Sequence, residues 1–201
     1  QLLLWDTAFP AELKGQTQDM GDLVARLDFT IAEQLARAGL KPEDIDVVGI
    51  SHMHPDHIGQ AAQFQNARLL IGEADFEGTA GKDDPFGPWR GEGKPVTLAN
   101  GDVDVFGDGS VVALHLPGHT PDHLALLVNL ESGPVLLSGD LYHSTEARQK
   151  RGVPPFNTSR EQTLASMDRF EQIAKERGAK VVIQHEPGDI GKLPPFPEVA
   201  R

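Results

Sequence analysis

The residues able to do chemistry in this chain are its histidines. There are eight of them in 201 residues, and no cysteine. Three sit in one short stretch, Ser51-His52-Met53-His54-Pro55-Asp56-His57, directly after the apolar segment Asp46–Ile50. In extended backbone alternate residues point the same way, so His52, His54 and Asp56 can converge while His57 enters a turn. Three imidazoles and a carboxylate within six residues are what a borderline-soft divalent metal prefers. Other ligand-type residues follow apolar runs in the same manner. His119 lies in Leu116-Pro117-Gly118-His119, Asp140 ends Leu136-Leu137-Ser138-Gly139-Asp140, and His185 ends Val181-Val182-Ile183-Gln184-His185. Each alone reads as a cap or turn residue. Together they gather side chains at one rim of a sheet. The lack of cysteine removes disulfides, thiol nucleophiles, iron–sulfur clusters and Cys–zinc sites.

The elements that must position these residues are short and interleaved. Apolar residues at intervals of three and four predict a helix over Asp22–Ala38, stopped by Gly39. A second runs from Arg160 to Arg177, with Ser159 and Gln162 as its capping box and Gly178 as its end. A shorter helix is expected from His57 to Gln65. Strands are expected at Leu2–Trp5, Asp46–Ile50, Ala67–Ile71, Val103–Phe106, Val111–Leu116, Leu124–Asn129, Val135–Leu137 and Val181–Ile183. Gly107-Asp108-Gly109 and Glu131-Ser132-Gly133-Pro134 mark hairpins. Gly78–Pro95, rich in Gly, Pro and charge, reads as a long surface loop. No composition shift marks a second domain, so residues 1–201 are expected to form one α+β domain.

Thirty acidic against eighteen basic residues give a net charge of −12. That surface disfavours nucleic acid and anionic membrane as partners. No apolar run approaches the roughly 18–20 residues of a membrane span.

The order H-x-H-x-D-H, His, Asp, His resembles the metallo-β-lactamase superfamily, and within it the N-acyl-homoserine lactonase group. Leu4-Trp5-Asp6-Thr7, His52–Gly59, Pro117–His123, Val135–His143 and Gln184–Pro187 carry the likeness. It implies an αββα sandwich whose first N-terminal strands are missing from this chain. It also implies two zinc ions per chain. His52, His54 and His119 would hold one, Asp56, His57 and His185 the other, and Asp140 would bridge them together with the attacking hydroxide. Asp56 would also orient that hydroxide. Asp6 is expected to receive the second N–H of a ligand imidazole, with His123 in a similar supporting place. Tyr142, the only tyrosine, is expected to contact the substrate carbonyl or leaving oxygen. Phe86, Trp89 and Phe156 are expected to line an acyl groove. His115 reads as a satisfied sheet histidine and His143 as a surface one.

The reading that follows is a dinuclear zinc hydrolase opening lactone rings, N-acyl-homoserine lactones foremost, and hence quorum quenching. The alternative is a β-lactam hydrolase, or another dinuclear-zinc esterase or phosphoesterase of the same superfamily. Its expected partner is a small lactone with an acyl chain, and a homodimer is compatible with it. The resemblance leans towards a periplasmic or secreted protein, although no signal peptide is seen ahead of Leu2-Leu3-Leu4-Trp5.

Overall fold

Short β-rich runs form the strands, and Gly, Pro and capping residues end them early. The computed structural model describes residues 1–19, 24–196 and 198–201. The strands are β1 (Leu3–Trp5), β2 (Thr17–Asp19), β3 (Val24–Arg26), β4 (Val47–Gly49), β5 (Arg68–Gly72), β6 (Val96–Ala99), β7 (Val103–Asp104), β8 (Val111–His115), β9 (Leu124–Leu130), β10 (Gly133–Leu137) and β11 (Lys180–Val182). The α-helices are α1 (Ile31–Arg37), α2 (Pro55–Ile58), α3 (Glu73–Gly78), α4 (Thr145–Lys150) and α5 (Arg160–Arg177).

The chain divides into two compact units, Gln1–Leu70 with Phe76–Thr97, and Ile71–Asp75 with Leu98–Arg201. The first is built on a sheet of order β1-β4-β5-β6. There β1 and β5 flank β4 in parallel, with Trp5 opposite Gly49 and Gly49 opposite Leu70. Parallel strands covered on both faces should read as continuous apolar runs, and Val47, Val48, Leu69 and Leu70 are all buried. Asp6 and Ser51 therefore leave neighbouring strands at the same sheet edge.

The second unit holds a sheet of order β11-β10-β9-β8-β7. β7 to β10 run antiparallel, and β11 joins β10 in parallel with Leu137 opposite Val182. Asp140 and His185 each lie three residues beyond that pair. The β8–β9 connection, which carries His119, emerges at the same edge. One sheet edge thus collects three ligand-type residues from distant parts of the sequence. Helix α5 covers this sheet with Met167, Phe170 and Ala174, which pack with Leu114, Leu127, Leu136, Leu141 and Val181.

Three expectations change. The Asp22–Ala38 helix begins only at Ile31, because Thr30 and Glu33 form a capping box that fixes the start there. Val24–Arg26 is a strand paired with Thr17–Asp19, and Asp22 and Leu23 lie outside the described residues. The helix expected over His57–Gln65 is two pieces. Helix α2 already contains His57 and gives way at Gly59 to a 3-10 turn, Ala61–Phe64. A Cβ on Gly59 would come within 2.2 Å of the Pro10 nitrogen, so the chain passes too closely for any other residue. The Gly78–Pro95 segment carries a 3-10 turn at Gly87–Trp89 and buries aromatic side chains.

Candidate metal centre

In the first unit the motif folds as a bundle of facing ring edges. His52 Nε2 and His54 Nδ1 lie 3.0 Å apart, and His57 Nε2 is 3.5 Å from Asp56 Oδ2. His52 and His57 are buried. Asp6 supports them from the end of β1. Its Oδ1 accepts from the Ser51 amide at 2.7 Å, and its Oδ2 accepts from the Ser51 hydroxyl and pairs with His57 Nδ1 at 2.9 Å. Ser51 Oγ also lies 3.0 Å from His52 Nδ1. Both buried imidazoles therefore have Nδ1 engaged, which fixes the ring plane and directs Nε2 towards the ligand side. Asp6 stands where the sequence placed it. It holds an unusual φ of +59° to do so.

In the second unit Asp140 is the centre. Its Oδ1 is 3.1 Å from His185 Nε2, and its Oδ2 is 3.5 Å from His119 Nε2. His119 Nδ1 meets Asn157 Oδ1 at 3.1 Å, so Nε2 is again the outward nitrogen. His123 fixes the Asp140 backbone. Its Nδ1–H donates to the Leu116 carbonyl, and its Nε2 accepts from the Asp140 amide at 3.0 Å. Gly139 must be glycine here, with φ of +54° and the His123 ring 2.4 Å from where a Cβ would stand. His115 pairs with Asp122 at 2.8 Å, a satisfied sheet histidine.

Two substrate-side expectations are corrected. Tyr142 leaves the Gly139–Leu141 turn in extended backbone, at φ −136° and ψ 137°, so it and His143 point opposite ways. Its ring enters the core of the second unit and stacks edge-on against Phe170. Its hydroxyl donates to Glu171 Oε1 at 3.0 Å, and Arg148 holds both Glu171 oxygens. Burial first, then the Glu171 charge, pushes the phenol well above its usual range. Tyr142→Phe is expected to leave lactone kcat within about twofold and to lower stability by about 1 kcal/mol, the worth of one hydrogen bond. Paired kinetics and thermal melts check this.

Phe86 and Trp89 are likewise core anchors of the first unit, both essentially buried, with Trp89 Nε1 donating to the Ala67 carbonyl at 2.8 Å. Phe156 differs. It is 63% exposed, with its ring 5.9 Å from His119 and edge-on to it. Three contributors were not anticipated. Ser51 had the signal of standing directly before the motif. His143 had that of following Asp140 by three in a turn. Asn157 had none.

The donors suit zinc. They are imidazole nitrogens and carboxylate oxygens with no thiolate, and the separations around Asp140 approach the roughly 3.4 Å edge of a tetrahedral site with bonds near 2.1 Å. The sequence pattern that defines the metallo-beta-lactamase superfamily matches residues 1–185.

The chain belongs to the metallo-beta-lactamase superfamily.

Among curated relatives of this superfamily member, the N-acyl homoserine lactonase AttM of Azorhizobium caulinodans is 31% identical over 180 residues, 82% of this chain and 66% of the relative. The chain therefore spans about two thirds of that protein's length. A solved N-acyl homoserine lactone hydrolase, with N-hexanoyl-L-homoserine at its catalytic metal centre, matches 98% of this chain and 81% of its own. The TM-score is 0.80 at 24% identity. AidC, a dizinc quorum-quenching lactonase solved with a product, matches 92% of this chain and 68% of its own, with a TM-score of 0.67 at 20% identity. The fold is that of the metallo-beta-lactamases, as the motif order implied.

Proposed function

We propose that this protein is a dinuclear zinc hydrolase that opens the ring of N-acyl-homoserine lactones. The observation that carries the reading is Asp140, a carboxylate with one oxygen facing His185 and the other facing His119. A carboxylate set between two candidate ligand histidines is a group that would suit a bridge between two ions. In this reading His52, His54 and His119 serve one ion, and Asp56, His57 and His185 the other. Bound there, zinc supplies hydroxide at neutral pH and polarises the ester carbonyl.

The chain's own groups do the rest. Ser51 and Asp6 hold His52 and His57, Asn157 holds His119, and His123 holds Asp140, so the ligand atoms need no reorganisation when the lactone arrives. Asp56 orients the attacking oxygen. Phe156 offers an exposed aromatic surface beside His119 for the acyl amide. In the first unit, Pro10, Pro55, Ile58 and Pro85, together with Glu12 and Asp83, line an open cavity of about 600 Å3. A zinc-loaded sample incubated with an N-acyl-homoserine lactone should yield the ring-opened acid. Failure to do so, with metal bound, would refute the reading.

A further inference from the structure

The Asp140 carboxylate is faced by three imidazoles of its own unit, and the ligand assignment uses only two. The third is His143. Its Nε2 lies 3.3 Å from Asp140 Oδ2. Its ring is parallel to that of His185, with centroids 5.7 Å apart and planes 6° from each other. It stands edge-on to His119 at 5.3 Å and to Phe156 at 5.8 Å. The stack and the Phe156 edge fix the plane of the ring, while its side chain keeps 31% exposure. His143 is thus ordered, open to solvent, and aimed at the space beside Asp140.

Tyr142 cannot serve that space, because its hydroxyl is committed to Glu171 inside the core. Any side-chain donor to the reacting ester on this rim of the second unit must come from another residue. We infer that His143 is a substrate-contacting residue. Its Nε2–H donates to a lactone oxygen and bears on the leaving alkoxide as charge develops. The inference rests on the lactonase reading. The neutral imidazole suffices, since it carries one N–H. A donor aimed at developing charge acts more strongly in the transition state than in the ground state. Phe156 would border the same oxygen with apolar surface and limit competing water.

The test uses the full chain, zinc-loaded, with His143→Leu and His143→Gln compared with the wild type. Metal content is read by elemental analysis, turnover with N-hexanoyl-homoserine lactone, and binding of the ring-opened N-hexanoyl-homoserine by calorimetry. His143→Leu should keep its metal, lose kcat/KM on the order of 100-fold, mostly in kcat, and bind the product about tenfold more weakly. His143→Gln, which keeps an N–H donor, should recover a large part of both, and it decides the matter if the leucine variant fails to fold. Unchanged kinetics and product affinity in both variants would overturn the inference and leave the lactonase reading standing. Loss of a metal ion would overturn it too, by making His143 a ligand. A metal-loaded wild type that opens no lactone would instead bring down the lactonase reading, and this inference with it.

Discussion

Asp140→Ala is expected to lower lactone kcat/KM by about three orders of magnitude while the protein stays folded. Asp140 presents one oxygen to His185 and the other to His119, two candidate ligands. Removing it takes away the group that would hold two ions at their working separation, and small misplacements of reacting groups are costly. The fold should survive because the turn is held by main-chain bonds. Ser138 N donates to the Val182 carbonyl, Gly139 N to Gln184 Oε1, and Asp140 N to His123 Nε2. None of these uses the carboxylate. His115→Ala is the control, since His115 is satisfied by Asp122 and is outside the proposed ligand set, and its effect should be about twofold. Kinetics on metal-loaded proteins and melts of both variants check this. Equal losses would show that the ligand assignment is wrong.

The second large effect concerns substrate. Hydrolysis of N-acyl-homoserine lactones should exceed that of penicillins by at least about a hundredfold in kcat/KM, roughly 2.7 kcal/mol of transition-state binding. A lactone is neutral, whereas a penicillin brings a carboxylate that needs a cation. The chain carries a net charge of −12. In the second unit, Arg148 is paired with Glu171 and Lys192 with Asp189, while Lys180, the cation nearest His185 in sequence, donates to the Lys192 carbonyl. Arg151 pairs with Asp168. Freeing Arg148, Arg151 or Lys192 for the substrate would break an existing pair. The exposed Phe156 ring also suits an acyl amide better than a fused bicyclic acid. Side-by-side kinetics on the two substrates decide it, and comparable efficiencies would move the assignment to a β-lactam hydrolase.

The candidate ligand residues stood out because each follows a strand that apolar runs mark clearly, and strand ends set where side chains go. Eight expected strands correspond to β1, β4, β5 and β7 to β11, with ends moved by a residue or two. What stayed hidden was decided by direction and packing. Tyr142 and His143 are neighbours, and only the backbone leaving the turn tells which enters the core. Phe86 and Trp89 lie in a segment whose Gly, Pro and charge conceal that its aromatics are buried. The first half of the Asp22–Ala38 pattern has helical spacing, but the Thr30–Glu33 box starts the helix late, and Val24–Arg26 pairs as strand instead. Asn157 meets His119 across 38 residues of sequence, a distance that no local pattern signals.

The most direct test of the dinuclear reading is a metal titration. Protein stripped of metal would be titrated with zinc while lactone turnover and bound metal are followed together. Activity is expected to rise to a plateau at two zinc ions per chain. Full activity at one ion per chain would contradict the dinuclear reading.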